Sequence, residues 1–238
     1  MARDATSETL GRYEILSELG HGAMGIVYKA IDPMLDRTVA VKTIKFDQSS
    51  AECAGYEERF YREAKSAGRL NHPNIVTIYD VGKSDSTAYI AMELLEGHQL
   101  KDILDVHTAL PIDKIVDITA QIADGLAYAH KNGIVHRDIK LDNFLVYLER
   151  ITPCQDTCAK KFCKIHQKVQ VKLTDFEYVC AISDLDDLRS RVGTRPWAAP
   201  EVIANDQTSL NGIAMDIWGL GHIFYIFSNG TPHAFHGC

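Results

Sequence analysis

What most limits how this chain can fold is a change of texture near Gly97. Residues 13–45 alternate apolar and polar side chains in the strand manner, as "YEILSEL", "IVYKAID" and "TVAVKTI", broken by a Gly-rich stretch and an Asp-Pro turn. "AGYEERFYREAKSAGRL" carries apolar residues at helical intervals, which predicts one amphipathic helix from Tyr56 to Leu70. "IVTIYDVG" and "TAYIAMEL" return to strand character. After Gly97 helices dominate: "QLKDILDVH", then "IDKIVDITAQIADGLAYAHKNG" ended by Gly133, and later an apolar helix around Trp218. Strands with one helix, then mainly helices, predict an α+β protein in two lobes with a hinge near residues 92–97. The expected division is a tail over 1–12, a β-rich lobe over 13–94 and a mainly helical lobe over 95–238.

Bulk properties remove several function classes. With 238 residues, 46% of them hydrophobic, the chain can build two cores. A net charge of −7 offers no basic excess to neutralise the phosphates of a nucleic acid. "MARDATSETL" lacks the apolar segment of a secretory signal. The longest apolar run, "IAMDIWGLGHIFYIF", is too short to span a bilayer and contains Asp216 and His222. The expected location is the cytoplasm. The six cysteines, Cys53, Cys154, Cys158, Cys163, Cys180 and Cys238, therefore read as thiols or metal ligands rather than disulfides.

Three segments carry chemistry. "GHGAMGIV" places Gly20, Gly22 and Gly25 between two strands, where missing side chains let backbone N–H groups approach phosphates and Val27 can cap an adenine ring. The same letters also suit a plain hairpin turn; a dinucleotide fold is disfavoured because strand, not helix, follows Gly25. "VAVK" ends in Lys42, a cation on an otherwise apolar strand that needs an anion to face. Glu63 on the amphipathic helix is one partner for it, with Glu57 and Glu58 as competitors. "IVHRDIKLDNFLV" puts Asp138 and Asn143 on one loop, facing one pocket, while His136, among apolar neighbours, reads as packing rather than as a base.

With these three segments in order and at this spacing, the chain resembles the eukaryotic-like serine/threonine protein kinases of the bacterial type. "GRYEILSELGHGAMGIVYKA" and "HPNIV" strengthen the likeness, which covers residues 12 to about 230. It implies that Lys42, set by Glu63, holds the α and β phosphates of ATP, with Gly20, Gly22, Gly25 and Val27 over the nucleotide. Ala40, Met92, Glu93, Leu94 and Leu145 would border the adenine. Asp138 would accept the proton of the substrate hydroxyl, Lys140 would steady the γ-phosphate, and Asn143 with Asp175 would bind magnesium. Lys140 and the Gly193–Thr194 pair favour Ser or Thr of a protein over Tyr. "APE" at Ala199, Pro200 and Glu201 would end the activation segment, and Asp216 would anchor the central helix to the catalytic loop. Arg137 offers a cation to a phosphorylated loop. Ser190 and Thr194 are the candidate acceptors, with autophosphorylation through self-association implied.

The pattern departs from that family in three places. "DFE" puts Glu177 where the family has glycine, at roughly 1–2 kcal/mol if the backbone must be left-handed there and little otherwise. A Cys/His insert over about 148–168 carries Cys154, Cys158, Cys163 and His166, either a structural zinc site or a solvated loop of reduced thiols. The sequence also stops where the family continues into further helices, so an incomplete helical lobe is expected. Glu177 and the missing helices support a pseudokinase, a nucleotide-binding scaffold with impaired catalysis, as the alternative to an active enzyme. A small-molecule kinase of the aminoglycoside type is disfavoured by Lys140, "GTRPW" and "APE", which suit a polypeptide substrate.

Overall fold

A computed structural model of the chain describes residues 8–21, 25–45, 53–84, 87–106, 110–150, 167–175, 179–184, 194–206 and 208–229. Two compact units emerge: Met1–Asn71 with Val76–Leu95, and His72–Ile75 with Glu96–Cys238. The mixed α+β class expected from the change of texture is the class observed.

The first unit is built on a six-stranded sheet of order β1-β2-β3-β4-β6-β5, every neighbouring pair antiparallel. Its strands are β1 (Thr9–Leu10), β2 (Tyr13–His21), β3 (Ile26–Asp32), β4 (Arg37–Lys45), β5 (Ile78–Ser84) and β6 (Thr87–Glu93). Alternation along each strand splits the apolar residues between two faces. One face gathers Tyr13, Ala30, Val39, Val41, Tyr89 and Ala91. The other takes helix α1 (Cys53–Ala67) through Ile44, Phe60, Ala64, Ala88 and Ile90. The helix therefore begins and ends three residues earlier than the periodicity suggested; Gly68 bonds back to the Ala64 carbonyl and closes the last turn.

The second unit centres on α3 (Ile112–Lys131), whose stripe of Ile115, Ile118, Ile122, Gly125, Leu126 and Ala129 is buried. Helix α2 (Leu100–Val106) precedes it, and α4 (Pro200–Ile203) and α5 (Gly212–Asn229) follow. Two small antiparallel sheets complete the unit. The first pairs β7 (His98–Gln99), β9 (Phe144–Arg150) and β10 (Gln167–Leu173) in the order β10-β9-β7; the second pairs β8 (Ile134–Val135) with β11 (Cys180–Ala181). The β9–β10 ladder runs from Phe144↔Leu173 to Arg150↔Gln167, so residues 148–150 and 167–168, expected in the insert, belong to strands. The sequence pattern missed β1 and β7, since two-residue strands show no periodicity.

Leu126, 1% exposed, belongs to the buried α3 stripe. Leu126→Ala should lower stability by about 2–5 kcal/mol in urea denaturation, through lost burial and the cavity left behind.

Candidate active site

In the first unit, strand register collects the residues expected around a nucleotide. Val27 and Ile90 lie directly opposite Lys42, and Met92 lies opposite Ala40. Cross-strand partners and residues two apart share a face, so Val27, Ala40, Lys42 and Met92 all belong to the face that also carries α1. On α1, Glu63 is 5% exposed, in the buried row with Phe60, Ala64 and Ala67. Its competitors are placed otherwise: Glu57 binds Lys83 Nζ at 2.7 Å and Glu58 is exposed. Glu93 accepts from the Thr77 N–H through Oε2 at 3.3 Å, and Leu94 follows just past the end of β6. The glycines differ in what they do. A Cβ on Gly25 would lie 1.7 Å from the Thr43 carbonyl oxygen, so no side chain fits; at Gly20 it would meet nothing within 4 Å. Gly22 lies outside the described residues.

In the second unit, one buried carboxylate organises the loop between β8 and the 3-10 turn Leu141–Asn143. Asp216 on α5 is 0% exposed. Its Oδ2 accepts from the His136 N–H at 2.9 Å and its Oδ1 from the Arg137 N–H at 2.7 Å. His130 Nε2 on α3 lies 2.8 Å from the same Oδ2. Arg137 has φ +66°, a left-handed conformation that costs a side-chain-bearing residue about 1–2 kcal/mol. Two hydrogen bonds to a charged acceptor, at about 1.5–3 kcal/mol each, outweigh that cost.

The loop so fixed presents Asp138, 2% exposed. Lys140 Nζ sits 2.7 Å from Asp138 Oδ2 and donates to Thr194 Oγ1 at 2.8 Å. The Thr194 N–H donates to Asp138 Oδ1 at 2.9 Å. Asn143 Nδ2 donates to the Asp138 carbonyl at 2.8 Å and to its Oδ2 at 3.1 Å. Burial works to raise the Asp138 pKa, but the hydrogen bond and charge of Lys140, with help from Thr194 and His136, hold it below the usual carboxylate value. A carboxyl lowered in this way adds stability that is present above its ordinary value of 3.8 and is lost as pH falls through the folded-state value.

Asp175 follows β10 at φ +62°, a second left-handed residue. The Thr174 N–H and hydroxyl both donate to the Asn143 carbonyl, at 2.8 and 3.0 Å, and His136 Nε2 lies 3.0 Å from the Thr174 carbonyl. His136 is thus a buried tie between the loop and the residue before Asp175, a role its apolar flanks did not suggest. Leu145 is half-buried on β9. Beside Asp138 and Thr194 a small cavity is lined by Trp197, Ala198, Val202 and Met215. Trp197 packs on His222 with ring centroids 4.6 Å apart, and burial lowers the His222 pKa. Sequence reasoning missed the roles of His130 and Thr174, whose partners Asp216 and Asn143 lie 86 and 31 residues away. Glu177, Ser190, Cys154, Cys158, Cys163 and His166 lie outside the described residues, and no group of His, Cys, Asp and Glu able to hold a metal occurs among those described.

A family model of the protein kinase domain matches residues 13–237. The chain belongs to the protein kinase domain family. Among its curated relatives, the serine/threonine-protein kinase PrkC of Bacillus subtilis is 36% identical over 222 residues, which cover 92% of this chain and 31% of that protein. The serine/threonine-protein kinase PknB of Mycobacterium leprae is 32% identical over 228 residues, 93% of this chain and 33% of that protein. PknB of Mycobacterium tuberculosis is 31% identical over 229 residues, with the same coverage of 93% and 33%. This kinase domain thus spans about a third of the length of these relatives. Among the described residues no helix is long and apolar enough to cross a membrane.

Asp216→Ala should strip the loop of its acceptor and leave two buried N–H groups unpaired, at about 1–3 kcal/mol each in chemical denaturation. Lys140→Met should raise the Asp138 pKa, an upward shift visible when the carboxyl carbon is titrated by NMR.

Proposed function

We propose that this domain transfers the γ-phosphoryl group of ATP to a Ser or Thr hydroxyl of a protein. The observation that supports it best is the gathering of Lys140, Asn143 and the Thr194 N–H around the Asp138 carboxylate. In that reaction the acceptor oxygen attacks the γ-phosphorus, the bond from phosphorus to the ADP oxygen breaks, and Asp138 takes the hydroxyl proton. Lys140 lies close enough to Asp138 to stabilise charge on the phosphoryl group as it passes. Lys42, set by Glu63, would hold the α and β phosphates, and Gly20, Gly25 and Val27 would lie over the nucleotide.

The donor set suits magnesium. Asn143 commits its amide nitrogen to Asp138, which leaves the amide oxygen as the end able to hold a cation. Asp175 adds a carboxylate, and both are hard oxygen ligands of the kind this ion prefers. When bound, the ion offsets negative charge on the phosphates. Asn143 and Asp175 would hold it; Thr174 and His136 fix the backbone that carries Asp175.

Lys140 and the "GTRPW" and "APE" segments support a polypeptide substrate over a small molecule. Thr194 and Ser190 are proposed acceptors for autophosphorylation between two copies. Glu177, next but one to Asp175, favours the second reading, a nucleotide-binding scaffold without transfer.

Asp138→Asn should lower phosphate incorporation from radiolabelled ATP by at least about a hundredfold while nucleotide binding persists. Unchanged incorporation would remove Asp138 from its role. A wild-type domain that binds ATP in magnesium yet incorporates no phosphate would establish the scaffold reading instead.

A further inference from the structure

The outer edge of β10 poses an accounting problem. In the order β10-β9-β7 this strand is last, so one row of its backbone groups has no strand beside it. Yet Val171 and Leu173 are 1% and 2% exposed, too buried for water to satisfy that row. Side chains and a neighbouring segment do so instead. Gln121 Nε2 donates to the Val169 carbonyl at 3.0 Å, and Gln121 Oε1 accepts from the Val171 N–H at 3.0 Å. Asn74 Nδ2 donates to the Val171 carbonyl at 2.8 Å, and the Leu173 N–H donates to the Asn74 carbonyl at 2.9 Å. Ile75 then forms a parallel bridge with Leu173. Residues 169, 171 and 173 thus receive, in turn, the bonds that an adjacent strand would supply.

We propose that Gln121, with Asn74, is a positioning residue for the metal-holding Asp175, acting as a surrogate strand that fixes how far β10 extends. The Gln121 amide has no spare valence: its nitrogen also donates to Asp117 Oδ2 at 3.2 Å, and its oxygen also accepts from Asn74 Nδ2 at 3.1 Å. Asn74 is fixed in turn. Its N–H meets His72 Nδ1 at 3.2 Å, and the His72 ring stacks on Tyr128 with centroids 4.9 Å apart. One helical turn beyond Gln121, Gly125 admits the Asn74 carbonyl so closely that an added Cβ would lie 3.1 Å from it. Only Thr174 separates Leu173 from Asp175, so a slip of β10 against α3 is passed directly to the Asp175 carboxylate. No other amide is available on α3 to replace Gln121, and a carboxylate there would face both Asp117 and the Val169 carbonyl.

The proposal rests on the magnesium-dependent kinase reading, and two readouts keep the two apart. Affinity for ATP is measured by calorimetry with magnesium and with EDTA, for the wild-type chain, Gln121→Leu and Gln121→Glu. Amide hydrogen exchange is followed at Val171 and Leu173. Gln121→Leu should reduce the gain in ATP affinity that magnesium brings by about tenfold and leave the EDTA value unchanged. Val171 exchange should rise in the same variant. Gln121→Glu, which keeps the acceptor for the Val171 N–H, should fall between the two and preserves the test if the leucine variant does not fold. Wild-type magnesium gain in both variants would overturn the positioning role. Fast exchange at Val171 in the wild-type chain would overturn the surrogate strand itself. Absence of any magnesium gain in the wild type, with Val171 protected, would sink the kinase reading and with it the role toward Asp175.

Discussion

The Asp216 carboxylate is the point on which the second unit turns. It is withdrawn from water completely, and a buried charge is tolerable only where donors surround it. Here the donors are two consecutive backbone N–H groups, those of His136 and Arg137, with the His130 ring alongside. That arrangement holds Arg137 left-handed and thereby aims the next residue, Asp138, at Lys140, Asn143 and Thr194. The helix α5 contributes stability through its apolar side chains and precision through one acid.

A second tie brings the Asp175 turn to the same loop. Thr174 spends both its N–H and its hydroxyl on the Asn143 carbonyl, while His136 meets the Thr174 carbonyl. Two left-handed residues, Arg137 and Asp175, are thus held by bonds to each other's segments. Backbone strain of this kind survives only where several contacts determine the geometry together. The outer flank of the same turn is controlled by α3 through β10. The two candidate metal ligands thus depend on helices that carry no phosphate-binding motif.

The motifs were readable because each is local. Gly25 sits between β2 and β3, although its steric reason, the Thr43 carbonyl at 1.7 Å from a would-be Cβ, comes from the neighbouring strand β4. Lys42 stood out as a charge on an apolar strand. Glu63 could not be separated from Glu57 and Glu58 by composition; burial on α1 and the Lys83 pair of Glu57 distinguish them. His136 was read as buried packing, and buried it is. Its apolar neighbours described its burial correctly but said nothing of the Thr174 carbonyl 38 residues away.

The sequence by itself determined the α+β class, the order of strands before helices, and the motifs that mark the protein kinase family, because periodicity and residue type act over a few positions. Tertiary structure alone decided that His136 meets the Thr174 carbonyl across 38 residues and that Asn74 lines β10 across 97. The physical reason is common to both. A buried backbone N–H or carbonyl must find a partner, and nothing in the nearby letters says which distant side chain will supply it.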